Sequence, residues 1–340
     1  MQAVRLEGVG RIHTTGVADP EATGSDVLVR VDAAGMCGSD RHILRGEYPS
    51  SPPVTLGHEI EGTVVAAGPQ ARGRTGQRVT VDPNIACGHC SFCHRGQPNH
   101  CLSLSAIGVD RDGGLAEFVA VPDTNVHVLA ADLSPGVGAL CEPLACCLHA
   151  ADLAELAPGQ SVAVLGGGVI GQLLVQLAQL AGATTIVLST RQPTRRRLAE
   201  SLGATGSVDP DREDPVAAVT GPAGPAPGGV DVVFEAAGVR NTFEQSMDIA
   251  RPGGSVVIVG AAPPELRASI RPYEIFAREV RLQGSFLNPL THSRAAALLS
   301  SGRLSVNPLI TRTVGLAEVP QLLEHPPVQG EIKTLAIPGA

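Results

Sequence analysis

Aromatic residues are scarce in this sequence: they make up 2% of its 340 residues, and tryptophan is absent. Lysine is almost as rare, since Lys333 is the single one, and the formal net charge is −8. A nucleic-acid groove needs clustered lysine or arginine to neutralise phosphates, and a single-strand platform needs aromatic rings for stacking. The composition therefore argues against nucleic acid as a partner.

Long hydrophobic runs are also missing, because Gly, Gln or Pro interrupts each apolar stretch before about twenty residues. The first residues, MQAVRLEGVGRIHTTGVADP, contain no apolar run after a basic start. The sequence thus predicts neither a membrane span nor a signal peptide. We expect a cytoplasmic protein, and reducing conditions there disfavour disulfides among its eight cysteines.

The length of 340 residues favours two domains over one. Up to about residue 130 the pattern is β-rich: short runs such as DVLVRVDA alternate apolar and polar positions and end at Gly or Pro. From about residue 135 the spacing becomes helical, and strand-like and helix-like segments then alternate from SVAVLGGGVIG to SVVIVGAA. This alternation predicts an α/β domain with a doubly wound parallel sheet.

The strongest local pattern is GGGVIG, which lies between an apolar run and a helix-like segment. Gly166, Gly168 and Gly171 have the G-x-G-x-x-G spacing of a dinucleotide-binding turn. The first glycine permits the tight turn, the second lets a pyrophosphate approach, and the third allows close packing of helix on strand. Together with Val169 and Ile170, at the helix N-terminus, these glycines form the predicted phosphate-binding loop.

The end of the next strand favours NADP over NAD as the cofactor. NAD-binding domains carry an acid there for the ribose 2′-hydroxyl, whereas NADP sites offer arginine to the 2′-phosphate. The sequence at this point is VLSTRQPTRRR, with the small Ser189, Arg191 two residues later, and then three consecutive arginines. A 2′-phosphate would suit Arg191 and Arg196, while at least one of the three consecutive arginines belongs to a solvated helix face.

Four cysteines crowd into ACGHCSFCHRGQPNHC: Cys87, Cys90, Cys93 and Cys101. Chance clustering of this kind is improbable with eight cysteines in 340 residues. Thiolates bind zinc well, and a closed four-sulfur site is structural rather than catalytic. A nucleic-acid zinc ribbon is the competing interpretation, but little basic charge and few aromatics surround the cysteines. We therefore predict a structural zinc lobe over residues 86–102.

A second set of candidate metal ligands flanks this lobe in the sequence. MCGSDRH and LGHEIEG lie upstream of the lobe, and LCEPLACCLHA lies downstream. Cys37, His58 and a carboxylate would form a three-ligand zinc site with an open fourth position, as catalysis requires. Such a site acidifies a bound water or alcohol and polarises a carbonyl.

Together these motifs resemble the zinc-dependent medium-chain dehydrogenases/reductases of the alcohol dehydrogenase superfamily, on the sorbitol (polyol) and threonine dehydrogenase side. The resemblance runs from about residue 20 to the end and depends on CGSDRH, GHEIEG, the four-cysteine lobe, EPLA and GGGVIG in that order. It implies a GroES-like catalytic domain over 1–142, a Rossmann dinucleotide-binding domain over 143–286, and a return to the catalytic domain over 287–340.

The resemblance also implies a set of catalytic zinc ligands. Cys37 and His58 match the first two ligands, and Glu59 and Glu142 match carboxylates of which one or both complete the site in the polyol branch. Cys141 stands where the alcohol dehydrogenase branch has a cysteine ligand instead. The adjoining EPLA favours the carboxylates, and the choice stays open at this point.

Further roles follow from the same resemblance. Ser39 matches the hydroxyl that bonds the reacting oxygen, and His42 matches the imidazole that passes its proton to solvent. Asp40 matches the carboxylate that orients the histidine ligand. The residues implied to border the nicotinamide are Val259, Gly260, Ser285 and Phe286.

The implied reaction is hydride transfer between a secondary alcohol and NAD(P), giving the ketone, with one catalytic and one structural zinc ion in each chain. Carboxylates at the site favour a hydroxylated small-molecule substrate such as a polyol, sugar or cyclitol. The alternatives are an NAD-linked, threonine-type dehydrogenase of hydroxy-amino acids and a non-catalytic dinucleotide-binding relative. The family also implies a homodimer or a homotetramer.

Overall fold

The computed structural model describes residues 1–339. Its strands are β1 (Gln2–Gly8), β2 (Arg11–Gly16), β3 (Asp26–Gly35), β4 (Val54–Thr55), β5 (Glu59–Ala67), β6 (Arg78–Val81), β7 (Asn84–Ile85), β8 (Ser105–Ala106), β9 (Phe118–Pro122), β10 (Val126–Val128), β11 (Ser161–Leu165), β12 (Thr185–Ser189), β13 (Gly206–Val208), β14 (Val230–Glu235), β15 (Ala250–Ile258), β16 (Arg281–Gly284), β17 (Ile310–Val314) and β18 (Lys333–Ala336). Its helices are α1 (Gly38–Leu44), α2 (Ser91–His94), α3 (Cys141–Ala154), α4 (Val169–Leu180), α5 (Pro193–Ser201), α6 (Pro215–Thr220), α7 (Arg240–Ile249), α8 (Pro272–Arg278), α9 (His292–Ser300) and α10 (Val319–Glu324). Short 3₁₀ helices lie at Pro98–His100, Asp123–Asn125, Val137–Leu140, Asn307–Leu309 and Leu316–Glu318.

The chain divides into two units, of which the first contains Met1–Ala145 and the segment from Asn288 onward. Its main sheet has the order β10–β6–β5–β3–β18–β17, and β9 pairs with β3 as well. Val27, Val29 and Val31 of β3 are all buried, as the alternating sequence pattern predicts. Because β18 from the end of the chain pairs with β3, the C-terminal segment belongs to this sheet.

The second unit, Cys146–Leu287, contains a six-stranded sheet in the order β13–β12–β11–β14–β15–β16. Every neighbouring pair in it is parallel. Four of the five residues of β11 are buried, which is typical of a parallel strand covered on both faces. The predicted fold class, a β-rich domain together with a doubly wound parallel-sheet domain, is confirmed.

One helical stretch, residues 137–154, is long and apolar enough to cross a membrane by length and composition. Its mean hydropathy is 1.3 over 18 residues, and 72% of it is buried inside the protein. A membrane-spanning helix exposes its apolar surface to lipid, so burial of this degree marks a core helix.

A hydrogen-bonded carboxylate ties together the strand starts of the parallel sheet. Oδ2 of Asp231 accepts from the backbone N–H and the hydroxyl of Ser161 at 2.7 and 2.6 Å. Oδ1 of Asp231 accepts from Nε of Arg251 at 2.7 Å. Burial by itself raises the pKa of Asp231, but these hydrogen bonds outweigh it and hold the pKa below its usual value.

We expect Asp231→Asn to lower the free energy of unfolding at pH 7 by about 1 kcal/mol, because it removes charge-assisted hydrogen bonds. A carboxylate with a lowered folded-state pKa stabilises the protein above its unfolded pKa, and this stabilisation is lost as the pH falls through the folded value. The difference from the wild-type protein should therefore shrink below about pH 4. Urea unfolding at pH 7 and at pH 3.5 (about the range of aspartate titration) measures both effects.

The matched control is Asp248→Asn, which makes the same chemical change at an exposed residue of α7. Oδ1 of Asp248 lies 3.9 Å from Nη2 of Arg271. Its unfolding midpoint should stay at the wild-type value, since exposed ion pairs contribute little. Equal losses in the two variants would contradict a special role for Asp231.

Candidate functional site

The four-cysteine lobe brings its sulfur atoms together. The Sγ atoms of Cys87, Cys90, Cys93 and Cys101 all lie within 4.8 Å of one another. The chain turns at Gly88, whose φ is 76°, and the one-turn helix α2 then carries Cys93 to within 3.6 Å of the Cys90 sulfur. These four cysteines are thiols, with no disulfide among them. Four sulfur donors at these distances fit a closed tetrahedral zinc site.

Backbone N–H groups in the lobe favour thiolate charge. The N–H of Cys87 donates to Sγ of Cys101 at 3.2 Å. Backbone hydrogen bonds from Cys93 and Leu102 lower the pKa of Cys90 to about 6. Burial and the hydrogen bond with Cys90 raise the pKa of Cys93 to about 11. Zinc binds the thiolate form, so the donors around Cys90 and Cys101 suit a metal-binding role.

A second group contains Cys37, His58 and Glu59, whose ligand atoms also lie within 4.8 Å of one another. Cys37 directly precedes α1, and His58 directly precedes β5. The antiparallel register of β3 and β5, which pairs Gly35 with Glu59, brings the three residues together. Gly35 leaves room for the carboxylate, because a Cβ there would lie 1.9 Å from Oε2 of Glu59. One sulfur, one nitrogen and one oxygen donor fit a catalytic zinc site with an open position.

The imidazole of His58 is oriented by α1. Its Nε2 lies 3.2 Å from Oγ of Ser39, and that hydroxyl donates to Sγ of Cys37 at 3.0 Å. Its Nδ1 faces Oδ1 of Asp40 at 3.4 Å, while Oδ2 of Asp40 accepts from the N–H of Cys37 at 2.8 Å. A proton shared between Nδ1 and the carboxylate would leave Nε2 as the metal ligand, on the side of Cys37.

The surroundings of His58 attract positive charge. Burial alone lowers the pKa of His58, but Asp40 and then Cys37 outweigh it and raise the pKa well above its ordinary value. In the described chain, neither Nδ1 of His58 nor Oδ1 of Asp40 has a partner at normal hydrogen-bond geometry. An anionic, buried pocket with an oriented imidazole is the environment that a Zn²⁺ ion requires.

Glu59 has a second partner that sequence reasoning missed, the ammonium of Lys333. Nζ of Lys333 lies 2.7 Å from both carboxylate oxygens of Glu59 and 3.0 Å from the carbonyl of Met36. The side chains of Lys333 and Glu59 are 2% and 1% exposed. The carboxylate is therefore close both to a buried cation and to the ligand atoms of Cys37 and His58. The single lysine of an arginine-rich chain was the one compositional signal for this residue.

Neither Glu142 nor Cys141, both in the described chain, belongs to the three-residue group. Glu142 is buried. Burial by itself lowers the pKa of Lys333, but Glu59, then Cys37 and to a smaller extent Glu142 outweigh it and raise that pKa. Sγ of Cys141 instead donates to the carbonyl of His292 at 3.6 Å, and burial raises the pKa of the thiol well above its usual value. Cys141 thus lies outside the group of Cys37, His58 and Glu59, and its thiol is directed at a backbone carbonyl.

The imidazole of His42 contacts a carboxylate that sequence reasoning also missed. Its Nδ1 lies 2.5 Å from Oε2 of Glu47, and both side chains are partly exposed. Ser39 and His42 are three residues apart on α1 and so lie on the same side of the helix. Glu47 reaches back because the chain turns sharply at Gly46, whose φ is 75°. Only this turn could have signalled the contact in the sequence.

In the second unit the glycine turn lies at the junction of β11 and α4. Gly166 has a φ of 122°, and a Cβ there would lie 2.8 Å from the backbone of the segment after β14. A Cβ at Gly171 would lie 1.9 Å from the carbonyl oxygen of Gly166. Gly168 caps α4 without a side-chain bond, and a Cβ there would meet nothing within 4 Å. Gly168 thus leaves space at the N-terminus of α4, where the N–H groups of Val169 and Ile170 begin the helix and where dinucleotide-binding turns accept a pyrophosphate.

The end of β12 lies beside this turn. Ser189 is buried, and its carbonyl accepts from the N–H of Gly166 at 2.9 Å. Arg191 is exposed. Arg196 instead points inward: its Nη2 lies 2.8 Å from Oδ2 of Asp209, and its Nη1 donates to a backbone carbonyl at 2.6 Å. Sequence reasoning missed Asp209, which follows β13 and has no local motif to mark it.

The residues implied to border the nicotinamide lie after β15 and β16. The N–H groups of Val259 and Gly260 donate to the carbonyl of Glu235 at 2.8 and 2.9 Å. The N–H of Ser285 donates to a carbonyl of β15 at 2.8 Å, and the next residue, Phe286, is exposed. These contacts fix the backbone at the carboxyl ends of the parallel strands, where nucleotides bind in doubly wound sheets.

The side chain of Glu235 organises the same edge of the sheet. Its Oε1 accepts from the N–H groups of Ala237 and Gly238 at 2.9 Å and from the hydroxyl of Thr242 at 2.7 Å. The side chain is almost fully buried. Its signal in the sequence is an acid at the end of an apolar strand, in VVFEAAG.

Both units match known protein families. Residues 23–131 match the alcohol dehydrogenase GroES-like domain, and residues 169–301 match the zinc-binding dehydrogenase family. A zinc-binding dehydrogenase from Sinorhizobium meliloti 1021, whose crystal structure holds NADP, is 53% identical. The two structures agree with a TM-score of 0.97, and the match covers 99% of each chain.

Two enzymes of known activity are also similar over most of their length. D-arabinitol dehydrogenase 1 of Uromyces fabae is 33% identical over 301 residues, which cover 88% of this chain and 86% of that protein. L-threonine 3-dehydrogenase of Pyrococcus abyssi is 34% identical over 301 residues, which cover 86% and 85%. The chain therefore belongs to the zinc-binding medium-chain alcohol dehydrogenase family, whose members are zinc-dependent, NAD(P)-linked oxidoreductases.

Proposed function

We propose that this protein catalyses the reversible oxidation of a secondary alcohol of the polyol, sugar or cyclitol type to the ketone, with NADP as the hydride acceptor. The observation that carries the proposal is the group of Cys37, His58 and Glu59, with the hydroxyl of Ser39 beside it. A zinc ion bound there supplies a Lewis acid that acidifies the alcohol and, in the reverse direction, polarises the ketone.

The proton of the substrate hydroxyl leaves through α1. Oγ of Ser39 lies within 3.2 Å of both Cys37 and His58, so it reaches an oxygen that approaches these ligands. It orients that oxygen and accepts its proton as it gives up its own hydroxyl proton, for which His42, three residues further along α1, is the proposed acceptor. His42 carries the proton on to solvent: Glu47 holds a proton on Nδ1 at 2.5 Å, which leaves Nε2 as the accepting atom.

The second unit binds the dinucleotide, which supplies the hydride acceptor. The N–H groups at the start of α4 bind the pyrophosphate, and the turn of Gly166, Gly168 and Gly171 leaves room for it. Arg191, exposed just beyond the end of β12, binds the 2′-phosphate. The 53% identity to a dehydrogenase that holds NADP supports this choice of cofactor.

The polyol class of substrate is supported by site chemistry and by similarity. Asp40, Glu59 and Glu142 are buried carboxylates in the first unit, so the surroundings of the proposed zinc site are polar and favour a hydroxylated substrate. The similarity to D-arabinitol dehydrogenase 1 agrees with this class. A hydroxy-amino acid is the second candidate, because the similarity to L-threonine 3-dehydrogenase is equally extensive.

The remaining parts of the proposal concern the whole protein. Cys87, Cys90, Cys93 and Cys101 hold a structural zinc ion, so each chain binds two zinc ions. A metal site of four thiols suits a reducing, cytoplasmic environment. We propose a homodimer or homotetramer, as is usual in the family.

The test is a substrate panel on purified, zinc-loaded protein, followed by the absorbance of reduced nicotinamide with NADP and with NAD. The panel contains polyols, sugars, cyclitols, threonine and simple secondary alcohols. We expect turnover of a polyol-type substrate, faster with NADP. A rate confined to threonine with NAD would replace the proposal by the second candidate, and tight NADP binding without turnover of any alcohol would favour a non-catalytic relative.

A further inference from the structure

Arg196 and Asp209 form an ion pair at the edge of the predicted adenosine site. Nη2 of Arg196 lies 2.8 Å from Oδ2 of Asp209, and the two side chains are 16% and 15% exposed. The same carboxylate oxygen faces Nε of Arg212 at 3.7 Å, on the solvent side. The charge of Arg196 is thus compensated within the protein, and one terminal nitrogen of its guanidinium is occupied.

The other terminal nitrogen of Arg196 holds the backbone just before Arg191. Nη1 of Arg196 donates to the carbonyl of Thr190 at 2.6 Å. The N–H of Thr190 donates in turn to the carbonyl of Val208 at 3.1 Å. The side chain of Thr190 packs on the glycine turn, since a Cβ at Gly167 would lie 2.8 Å from it. Three contacts therefore hold the carbonyl, the N–H and the side chain of Thr190. They fix the direction in which the backbone continues to Arg191.

Helix α5, which carries Arg196, is attached to the glycine turn by a buried amide. Nε2 of Gln172 donates to the carbonyl of Arg195 at 2.9 Å and to the carbonyl of Gly167 at 3.3 Å. Gln172 is fully buried. The first turn of α5, the end of β12 and the glycine turn are consequently joined by hydrogen bonds, so a change at the ion pair reaches the backbone of the cofactor loop.

We propose that Arg196 and Asp209 are positioning residues for the selection of NADP: the pair holds the carbonyl of Thr190 and so directs Arg191 towards the 2′-phosphate, which Arg196 itself does not contact. This inference rests on the proposed use of NADP. It assigns Asp209 a favourable part in NADP binding, although a carboxylate near a phosphate dianion repels it. That repulsion is offset because Arg196 stays paired with Asp209.

The two possible roles of Arg196 predict opposite effects of Asp209→Asn. If Arg196 bound the phosphate, removal of the competing carboxylate would free its guanidinium and tighten binding. If Arg196 acts through Thr190, the same change loosens the guanidinium and weakens binding. Asp209→Asn keeps the size of the side chain, so it still tests the role of the ion pair if the Arg196→Gln protein does not fold.

The experiment is calorimetric titration of the zinc-loaded full-length protein with 2′,5′-ADP, which carries the 2′-phosphate, and with ADP, which does not. We expect Asp209→Asn and Arg196→Gln each to weaken the affinity for 2′,5′-ADP about tenfold and to change the affinity for ADP by less than about twofold. Asp211→Asn, which removes a neighbouring exposed charge, is the matched control and should leave both affinities unchanged.

A double-mutant cycle identifies the route of the effect. In an Arg191→Gln background, Asp209→Asn should weaken 2′,5′-ADP no further, because its effect passes through Arg191. Unchanged or tighter 2′,5′-ADP binding by Asp209→Asn, equal losses for both ligands, or additive losses in the double variant would each overturn the inference. A wild-type protein that binds ADP more tightly than 2′,5′-ADP, or an Arg191→Gln variant that binds 2′,5′-ADP normally, would instead overturn the proposed cofactor.

Discussion

Cys37→Ser is expected to reduce kcat/KM for the alcohol by about 10³-fold or more and to lower the zinc content from two ions per chain to one. The reason is that loss of a thiolate ligand from the group with His58 and Glu59 leaves too few donors to retain the catalytic ion. A Lewis acid contributes several kcal/mol to the stabilisation of the transition state, and about 1.4 kcal/mol corresponds to a tenfold change in rate. Steady-state kinetics and metal analysis by mass spectrometry measure the two effects.

The fold should survive this substitution. The backbone N–H of residue 37, which donates to Asp40, is retained, and the four-cysteine lobe is a separate metal site. Cys146→Ser is the matched control, since Cys146 belongs to neither metal group. It should keep both zinc ions and wild-type activity. Full turnover by Cys37→Ser at unchanged protein stability would refute zinc-assisted catalysis.

Cys141→Ser decides between the two ligand sets that the sequence left open. We expect this variant to keep two zinc ions, because Cys141 lies outside the group of Cys37, His58 and Glu59 and its thiol donates to the carbonyl of His292. Loss of one zinc ion from Cys141→Ser would instead assign the site to a cysteine ligand. Parallel metal analysis of Glu59→Gln and Glu142→Gln then shows which carboxylate the ion needs.

Much of the site could be predicted because its requirements are local. The G-x-G-x-x-G spacing specifies its own geometry: Gly166 needs a positive φ, and Gly171 needs to be without a Cβ against the carbonyl of Gly166. The four lobe cysteines lie within fifteen positions of one another, so their proximity follows from chain length alone. The alternation of strand and helix patterns likewise predicted the parallel sheet.

The contacts that the sequence did not reveal are those made by distant segments. Lys333 and Glu59 are separated by 274 positions, and only the register of β18 on β3, next to β5, brings them together. Asp209 reaches Arg196 because β13 pairs with β12. A lone acid or lysine carries no spacing signal, and the charge of Arg196 alone favours a phosphate ligand and an internal ion pair equally. Partners of this kind depend on strand order, which local patterns do not specify.

Lys333→Met is the second substitution with a large expected effect, on stability rather than on rate. The variant keeps the length of the side chain but removes the ammonium that bonds both oxygens of Glu59. A buried carboxylate then loses its compensating charge, which typically costs about 3–5 kcal/mol. We expect a decrease of this size in the free energy of unfolding of the zinc-free protein, measured by urea denaturation.

Zinc should reverse part of this loss, because Cys37 and His58 place a candidate cation site beside the same carboxylate. A ligand that binds the folded state alone stabilises it according to its affinity, and a carboxylate released from Lys333 is a better zinc donor. Saturating zinc is therefore expected to raise the unfolding free energy of Lys333→Met by more than that of the wild-type protein. The double variant Glu59→Gln with Lys333→Met removes both charges, so it should recover most of the stability and lose the additional response to zinc.

Equal responses to zinc in Lys333→Met and the wild type would mean that Glu59 serves the lysine alone, and the third ligand would then be sought at Glu142. A larger response confined to the single variant would mean that Lys333 competes with the metal for Glu59 and thereby sets how firmly the ion is bound.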